Sequence, residues 1–444
     1  MPSSADRPSP VSLLQAARFW LLLGCISFGG PAGQIALMHR ELVERRRWIS
    51  ERRFLHALNY CMVLPGPEAQ QLATYLGWLM HRSVGGLLAG GLFVLPSLLV
   101  LIGLSWLYMA QGQQPLVAGL FHGLKPAVTA LVLHSAHRIG RRALKNRGLW
   151  LIAAAAFVAL FAFDAPFPAI VLAAALVGMV GGRVAPAVFD GGASHAATVA
   201  AALPALIDDD TPPPLHARFA WRALATVVAV GLLAWVLAMA GLMAAFGGWH
   251  GPLPQMGWFF TQAALLSFGG AYAVLPYVVQ GAVDQHHWLS GAQMIDGLAL
   301  GETTPGPLIM VVAFVGFVGG WSGRVLGPDA VLPGAALAAC VATFFTFLPS
   351  FVFILAGGPV VEATHGQLRF TAPLTAITAA VVGVILNLAL FFALHVLWPQ
   401  GLGGRFDAAA AAIGVAALVA LFRFQVGVIP MLAACALAGL VLKL

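Results

Sequence analysis

Charge is what this sequence has least of. Only 9% of its 444 residues are Asp, Glu, Lys or Arg, against about 25% in soluble globular chains. That scarcity excludes an ordinary soluble enzyme. Cysteine is also scarce: Cys25, Cys61, Cys340 and Cys435 lie far apart in apolar segments, with no CxxC. Neither a disulfide framework nor a zinc site is expected. Among thirteen histidines there is no HExxH, and His134 and His137 merely adjoin a basic loop, so no metal is expected. A glycine-rich phosphate loop followed by Lys-Ser/Thr is absent, which excludes ATP hydrolysis. With no flavin, haem or metal motif, a membrane oxidoreductase has nothing to support it, and no cofactor is expected. After the polar stretch Met1 to Val11 the first apolar run contains Arg18 and no cleavage site, so no removable signal peptide is expected.

Apolar sequence fills the space. Sixty per cent of the residues are hydrophobic and the mean hydropathy is +0.90, which excludes disorder. At roughly 20 apolar residues per span, at most about 13 membrane helices fit. The runs are long rather than alternating, favouring helices over a barrel. The expected fold is an all-α polytopic membrane protein embedded in a lipid bilayer.

The net charge of +7 does not point to nucleic acid, because its distribution is topological. Eleven of the 23 basic residues fall in two short stretches, Arg40 to Arg53 and Arg138 to Arg147. Such clusters between apolar segments mark cytoplasmic loops.

Internal repetition is the strongest pattern. Ser27-Phe28-Gly29-Gly30 recurs as Ser267-Phe268-Gly269-Gly270, Trp48 and Ser50 as Trp288 and Ser290, and Pro65-Gly66-Pro67 as Pro305-Gly306-Pro307, all 240 residues on. Leu95-Pro96-Ser97 returns as Leu348-Pro349-Ser350. The chain is a tandem duplication. It divides into an N-terminal repeat (1–183), a cytoplasmic linker (184–219), a connecting transmembrane helix (220–255) and a C-terminal repeat (256–444). The linker holds Asp208-Asp209-Asp210 and Pro212-Pro213-Pro214 and reads as solvated. Six arginines (Arg40, Arg45, Arg46, Arg47, Arg52 and Arg53) separate the first Gly-Gly and Pro-Gly-Pro elements, whereas Val279 to Gln293 has no Lys or Arg. Equivalent loops then lie on opposite sides of the membrane, giving inverted-topology repeats with broken or re-entrant helices. Parallel repeats whose charge has drifted are the competing reading. Hairpin arms spend apolar length, so complete crossings number nearer nine or ten.

Glycine and proline inside apolar sequence break helices, and broken backbone at membrane depth survives only when buried in protein or lining a cavity. A helix that starts after a break aims free N–H groups and a positive dipole end at the gap. Ser27, Phe28, Gly29, Gly30, Pro65, Gly66 and Pro67 in one repeat are therefore expected to form an anion site. Ser267, Phe268, Gly269, Gly270, Pro305, Gly306 and Pro307 complete it from the other. The alternative is that these glycines only permit close helix packing. Gln70, Gln71, Thr303 and Thr304 are candidate hydrogen-bond donors or caps. Glu68, Glu302 and Asp296 are candidate proton carriers, or capping acids. Arg18 and Lys125 are candidate counter-charges, or snorkelling residues.

These runs resemble one family. Ser27 to Pro31, Trp48, Leu64 to Ala73, Phe268 to Pro276 and Asp296-Gly297-Leu298 leading to Glu302 through Met310 are similar to the chromate ion transporters in their long two-repeat form. Ala313 stands where that pattern has Gln, and Gly301 where it has Ala. The resemblance implies a transporter of the cytoplasmic (inner) membrane that expels chromate and confers chromate resistance, with sulfate as the analogous substrate. The drive would be a proton gradient or anion exchange. A sulfate transporter or exchanger and a passive anion channel are the alternatives, and a homodimer is left open.

Overall fold

The computed structural model describes residues 8–28, 30–112, 114–189, 204–209, 211, 214–364 and 371–443. They form helices and no strand; one isolated parallel bridge joins Ile49 and Ile207. The N-terminal repeat runs α1 (Leu13–Ile26), α2 (Gly30–His39), α3 (Glu51–Cys61), α4 (Glu68–Gln111), α5 (Pro115–Ala143), α6 (Arg147–Phe163), α7 (Phe167–Val184) and the single turn α8 (Pro186–Phe189). The connecting helix is α9 (Trp221–Ala245). The C-terminal repeat runs α10 (Pro252–Leu266), α11 (Ala271–Val279), α12 (Gly291–Thr303), α13 (Val311–Ser322), α14 (Val331–Thr364), α15 (Thr371–Leu397), α16 (Ala408–Phe422) and α17 (Val428–Lys443).

The duplication extends to backbone detail. Both α2 and α11 relax into a π-helical turn, Arg40–Arg45 and Gln280–Gln285. A left-handed residue follows in each, Arg47 (φ 53°) and His287 (φ 51°). A capping serine then starts the next helix: Ser50 accepts from the Arg53 amide and Ser290 from the Gln293 amide, satisfying a first-turn N–H. In α4 the strand of helix breaks at His81 and Arg82 (φ 57°), so a short arm precedes a long one. The second repeat splits the same unit into α13 and α14.

The repeats are interlocked. α1 packs on α4, and α10 on α14. The hairpin α6–α7 packs on α15 of the other repeat, α16 and α17 pack on α5, and α5 meets α15. Among the described residues no helix of the first repeat answers to α9, and this connecting helix leads into a second half inverted relative to the first. Accordingly Arg40, Arg138 and Arg142 line one cavity, while Gln293, equivalent to Arg53, and His395 line another.

Among the described residues six helices (α4, α5, α7, α9, α14 and α15) are long and apolar enough to cross a membrane, making this a multi-pass membrane protein. Reaching nine crossings takes α6, α16 and α17, of 17, 15 and 16 residues. At 1.5 Å per residue these fall slightly short of a hydrocarbon core of about 30 Å.

The described part of the linker that carries Ile207 to Thr211 is tied to the N-terminal repeat. Ile207 bridges to the Arg47–Ile49 segment, Ser50 donates to Asp209 at 2.6 Å and Arg53 donates to the Thr211 carbonyl. Asp208 accepts from the amides of Ala205 and Asp209. Asp210, Pro212 and Pro213 lie outside the described residues. Polar side chains here are spent holding the linker to the basic face. Arg53 also pairs with Glu362 of α14 at 3.5 Å, and Glu362 accepts from Tyr75 at 2.5 Å. Glu362→Ala leaves the buried Tyr75 hydroxyl without its acceptor and takes from Arg53 its carboxylate partner, and is expected to cost about 2–4 kcal/mol. A fall in the unfolding temperature of detergent-purified protein checks this; an unchanged temperature contradicts it.

Candidate functional site

Each repeat stops and restarts its helices twice. α1 ends at Ile26 and α2 begins at Gly30 (φ 70°); α10 ends at Leu266, and Gly269 (φ 83°) and Gly270 (φ 94°) lead into α11. The second break of each repeat holds Gly66 (φ 128°) or Gly306 (φ 108°) between its prolines. Proline cannot donate and glycine alone tolerates these angles, which is why the chain breaks here.

The four breaks meet in pairs across the repeats. The Gly66 amide donates to the Ser267 carbonyl at 2.9 Å, and the Gly306 amide donates to the Ser27 carbonyl at 2.8 Å. A Cβ on Gly66 would collide with Ser350, and one on Gly306 would lie 2.5 Å from the Ser97 Cβ. Ser97 and Ser350 are themselves equivalent, so each break is seated against the opposite repeat. Gln34 donates to the Gly306 carbonyl at 2.5 Å and Gln71 to the Pro65 carbonyl at 2.7 Å. The hydroxyls of Ser27, Ser267 and Ser97 are buried with no hydrogen-bond partner, an arrangement that is costly unless a ligand or water reaches it.

Beside this junction a cavity of about 1070 Å³ opens on the basic face. Arg40, Arg138 and Arg142 line it, together with Phe28, Pro31 and Ala32 at the start of α2. Gly269, Gly270 and Ala271 at the start of α11, with Glu68 and Tyr272, line it too. First-turn amides have no acceptor within their own helix, so two helix N-termini and three guanidinium groups give the cavity a positive lining. Glu44 and Glu68 are the counterweights in the lining; Glu68 stands close to the break, where a Cβ on Gly270 would lie 3.7 Å from its Oε1. Tyr272 donates from the cavity wall to Glu302, a carboxylate only 7% exposed. On the surface nearby, Arg45 donates to Glu41 at 2.7 Å and holds that carboxyl below its ordinary range, with Arg46 adding to the effect.

The other sequence candidates are dispersed. Asp296 and Lys125 pair at 3.3 Å, with Tyr108 donating to Asp296 at 2.9 Å, in a separate cavity of about 680 Å³. Arg18 is exposed on α1 and lines neither cavity. Gln70 is buried and donates to Thr74. Thr303 donates to the carbonyls of Ala299 and Leu300, and Thr304 to that of Gly301, so both hydroxyls are spent on their own helix. Phe268, Pro67, Pro305 and Pro307 flank the breaks without lining the basic cavity. Gly29 lies outside the described residues. His134 and His137 pack against the Phe422 ring, and no group of His, Cys, Asp or Glu among the described residues is arranged to hold a metal ion.

Sequence reasoning missed Tyr272 and Gln34, and read Arg138 and Arg142 as topology only. Tyr272 is one of only five tyrosines and stands directly after a helix break, which was a usable signal.

The profile of the family described as Chromate transporter matches residues 14–179 and 254–440, one match per repeat. A chromate transport protein of Pseudomonas aeruginosa is 35% identical over 85% of this chain and 80% of its own length. Another from Cupriavidus metallidurans is 30% identical over 84% and 81%. An uncharacterised transporter of Bacillus subtilis, 30% identical, aligns over 31% of this chain but 70% of its own length, the coverage a single-repeat relative would give. No solved structure matches. With both repeats matched and relatives aligned over most of their length, this chain belongs to the chromate transporter family.

Proposed function

We propose that this chain is a secondary transporter that exports chromate across the cytoplasmic (inner) membrane, driven by the proton gradient or by anion exchange, and so confers chromate resistance. One observation carries the reading: the cavity on the basic face ends at two helix N-termini from symmetry-related breaks. Helix N-termini and guanidinium groups suit a tetrahedral dianion. A cavity open to the cytoplasm loads substrate from inside. At −100 mV a dianion gains roughly 4.6 kcal/mol on leaving (2 × 2.3), so export is downhill in potential.

Sulfate is the second reading. Backbone amides and arginines contact oxygens, and both dianions present four oxygens in the same geometry. Competition by sulfate against labelled chromate separates the two.

Everted vesicles are expected to accumulate labelled chromate when energised. Vesicles competent for another transported solute that take up none would contradict the proposal. Arg138→Gln with Arg142→Gln removes two cations from the lining while leaving the breaks intact. Initial uptake at low chromate is expected to fall about 5- to 30-fold, equivalent to about 1–2 kcal/mol of lost attraction, and to depend less on ionic strength. Wild-type uptake from the double variant would show that these guanidinium groups do not serve the anion.

A further inference from the structure

Asp296 does not face the basic cavity. It borders the cavity on the other face, at 3% exposure. Its Oδ2 takes the Tyr108 hydroxyl and the Lys125 ammonium. Its Oδ1 is buried with no hydrogen-bond partner. A carboxylate oxygen left unpaired at this burial is relieved by a proton. Six residues further along α12 stands Glu302, about 9 Å away along the axis at 1.5 Å per residue. Glu302 accepts from Tyr272, which lines the basic cavity. One helix thus carries an acid that lines one cavity and a second acid that is joined to the other only through Tyr272.

We propose that α12 is the proton-carrying element, with Asp296 as its outer acceptor and Glu302, reached through Tyr272, as its inner one. This rests on the transport reading and adds where the coupling proton binds. A proton from outside adds to Oδ1 of Asp296 and cancels its charge. Lys125 keeps its own charge, so the pair passes from neutral to +1 and Lys125 is released to attract the departing oxyanion. When the proton moves inward to Glu302, Asp296 recaptures Lys125 and the anion is expelled. One proton enters as the anion leaves.

The other groups at this cavity set its background. They are His122 with Lys125 on α5, Tyr108 on α4, His395 on α15, Lys443 on α17 and Asp407 before α16. His122 and Asp407 stand 3.8 Å apart, and α13 brings no titratable group.

The test compares wild type, Asp296→Asn and Asp296→Glu in everted vesicles at clamped potential. The readout is the ratio of chromate uptake with an acid lumen to uptake with no pH gradient. Wild type is expected to show a several-fold ratio, Asp296→Asn a ratio near one whatever its rate, and Asp296→Glu a restored ratio. An unchanged ratio in Asp296→Asn overturns the proposal. Should that variant fail to insert, Tyr108→Phe removes one donor to the carboxylate, and the pH midpoint of stimulation is expected to rise; an unmoved midpoint overturns it. Independently, a membrane-impermeant amine reagent added to spheroplasts is expected to label Lys125 several-fold faster in Asp296→Asn than in wild type, with Lys443 as reference. Equal labelling counts against the pair. If wild type moves no chromate, the transport reading fails, and the labelling still decides whether Asp296 shields Lys125 from the outer face.

Discussion

Gly306→Ala is expected to cost about 2–5 kcal/mol and to leave little folded transporter. Two effects add. A residue with a Cβ at φ 108° leaves the allowed regions, at a cost of about 1–2 kcal/mol. The new methyl also lies 2.5 Å from the Ser97 Cβ, and relieving such overpacking costs about 1–3 kcal/mol. Any shift weakens the amide bond from Gly306 to the Ser27 carbonyl. Thermal unfolding of detergent-purified protein reads the loss. The informative partner is Ser97→Gly, which removes the obstructing carbon. Added to Gly306→Ala, it is expected to recover about 1–3 kcal/mol while the backbone strain remains. If the second change recovers nothing, the repeats do not meet at this point.

Glu68→Gln has the other large effect, and its sign is diagnostic. The carboxylate faces the start of α11, where the anion is proposed to sit, so it repels a dianion from that position. Removing one negative charge is expected to tighten equilibrium binding of sulfate or chromate about 10- to 100-fold, or about 1.4–2.8 kcal/mol. Turnover is expected to fall, because the anion then leaves more slowly. Calorimetry on the purified protein measures the first and vesicle flux the second. Weaker binding in the variant would place Glu68 among the anion's partners, contrary to this account.

The architecture was legible because duplication left two aligned copies of the same awkward residues. Glycine and proline within apolar sequence have few explanations, and their recurrence 240 residues apart marks all four breaks. The charge difference between Arg40–Arg53 and Val279–Gln293 marked the inversion for the same reason: lipid leaves little freedom in where arginine is placed.

Partners far apart in sequence were not legible. Nothing local ties Ser50 to Asp209 or Arg53 to Glu362, so neither contact could be read from the sequence. Arg138 and Arg142 carried one signal for two roles, and the topological role hid the cavity. Asp296 and Glu302 were grouped as neighbours. Six residues at about 100° each place them on different sides of a helix: Asp296 lines one cavity, and Glu302 is linked to the other through Tyr272. Arg18, a candidate counter-charge or snorkelling residue by sequence, lies on the exposed side of α1 and lines neither cavity.

Inverted repeats meeting at paired breaks are the core of this account, and sidedness tests them most directly. Arg45 and Gln285 occupy equivalent, exposed positions at the ends of the two π-helical turns. Each is replaced by cysteine in a chain lacking its four native cysteines and treated with a membrane-impermeant thiol reagent in spheroplasts and in everted vesicles. Position 285 is expected to react only in spheroplasts and position 45 only in everted vesicles. Labelling of both from the same side would contradict it.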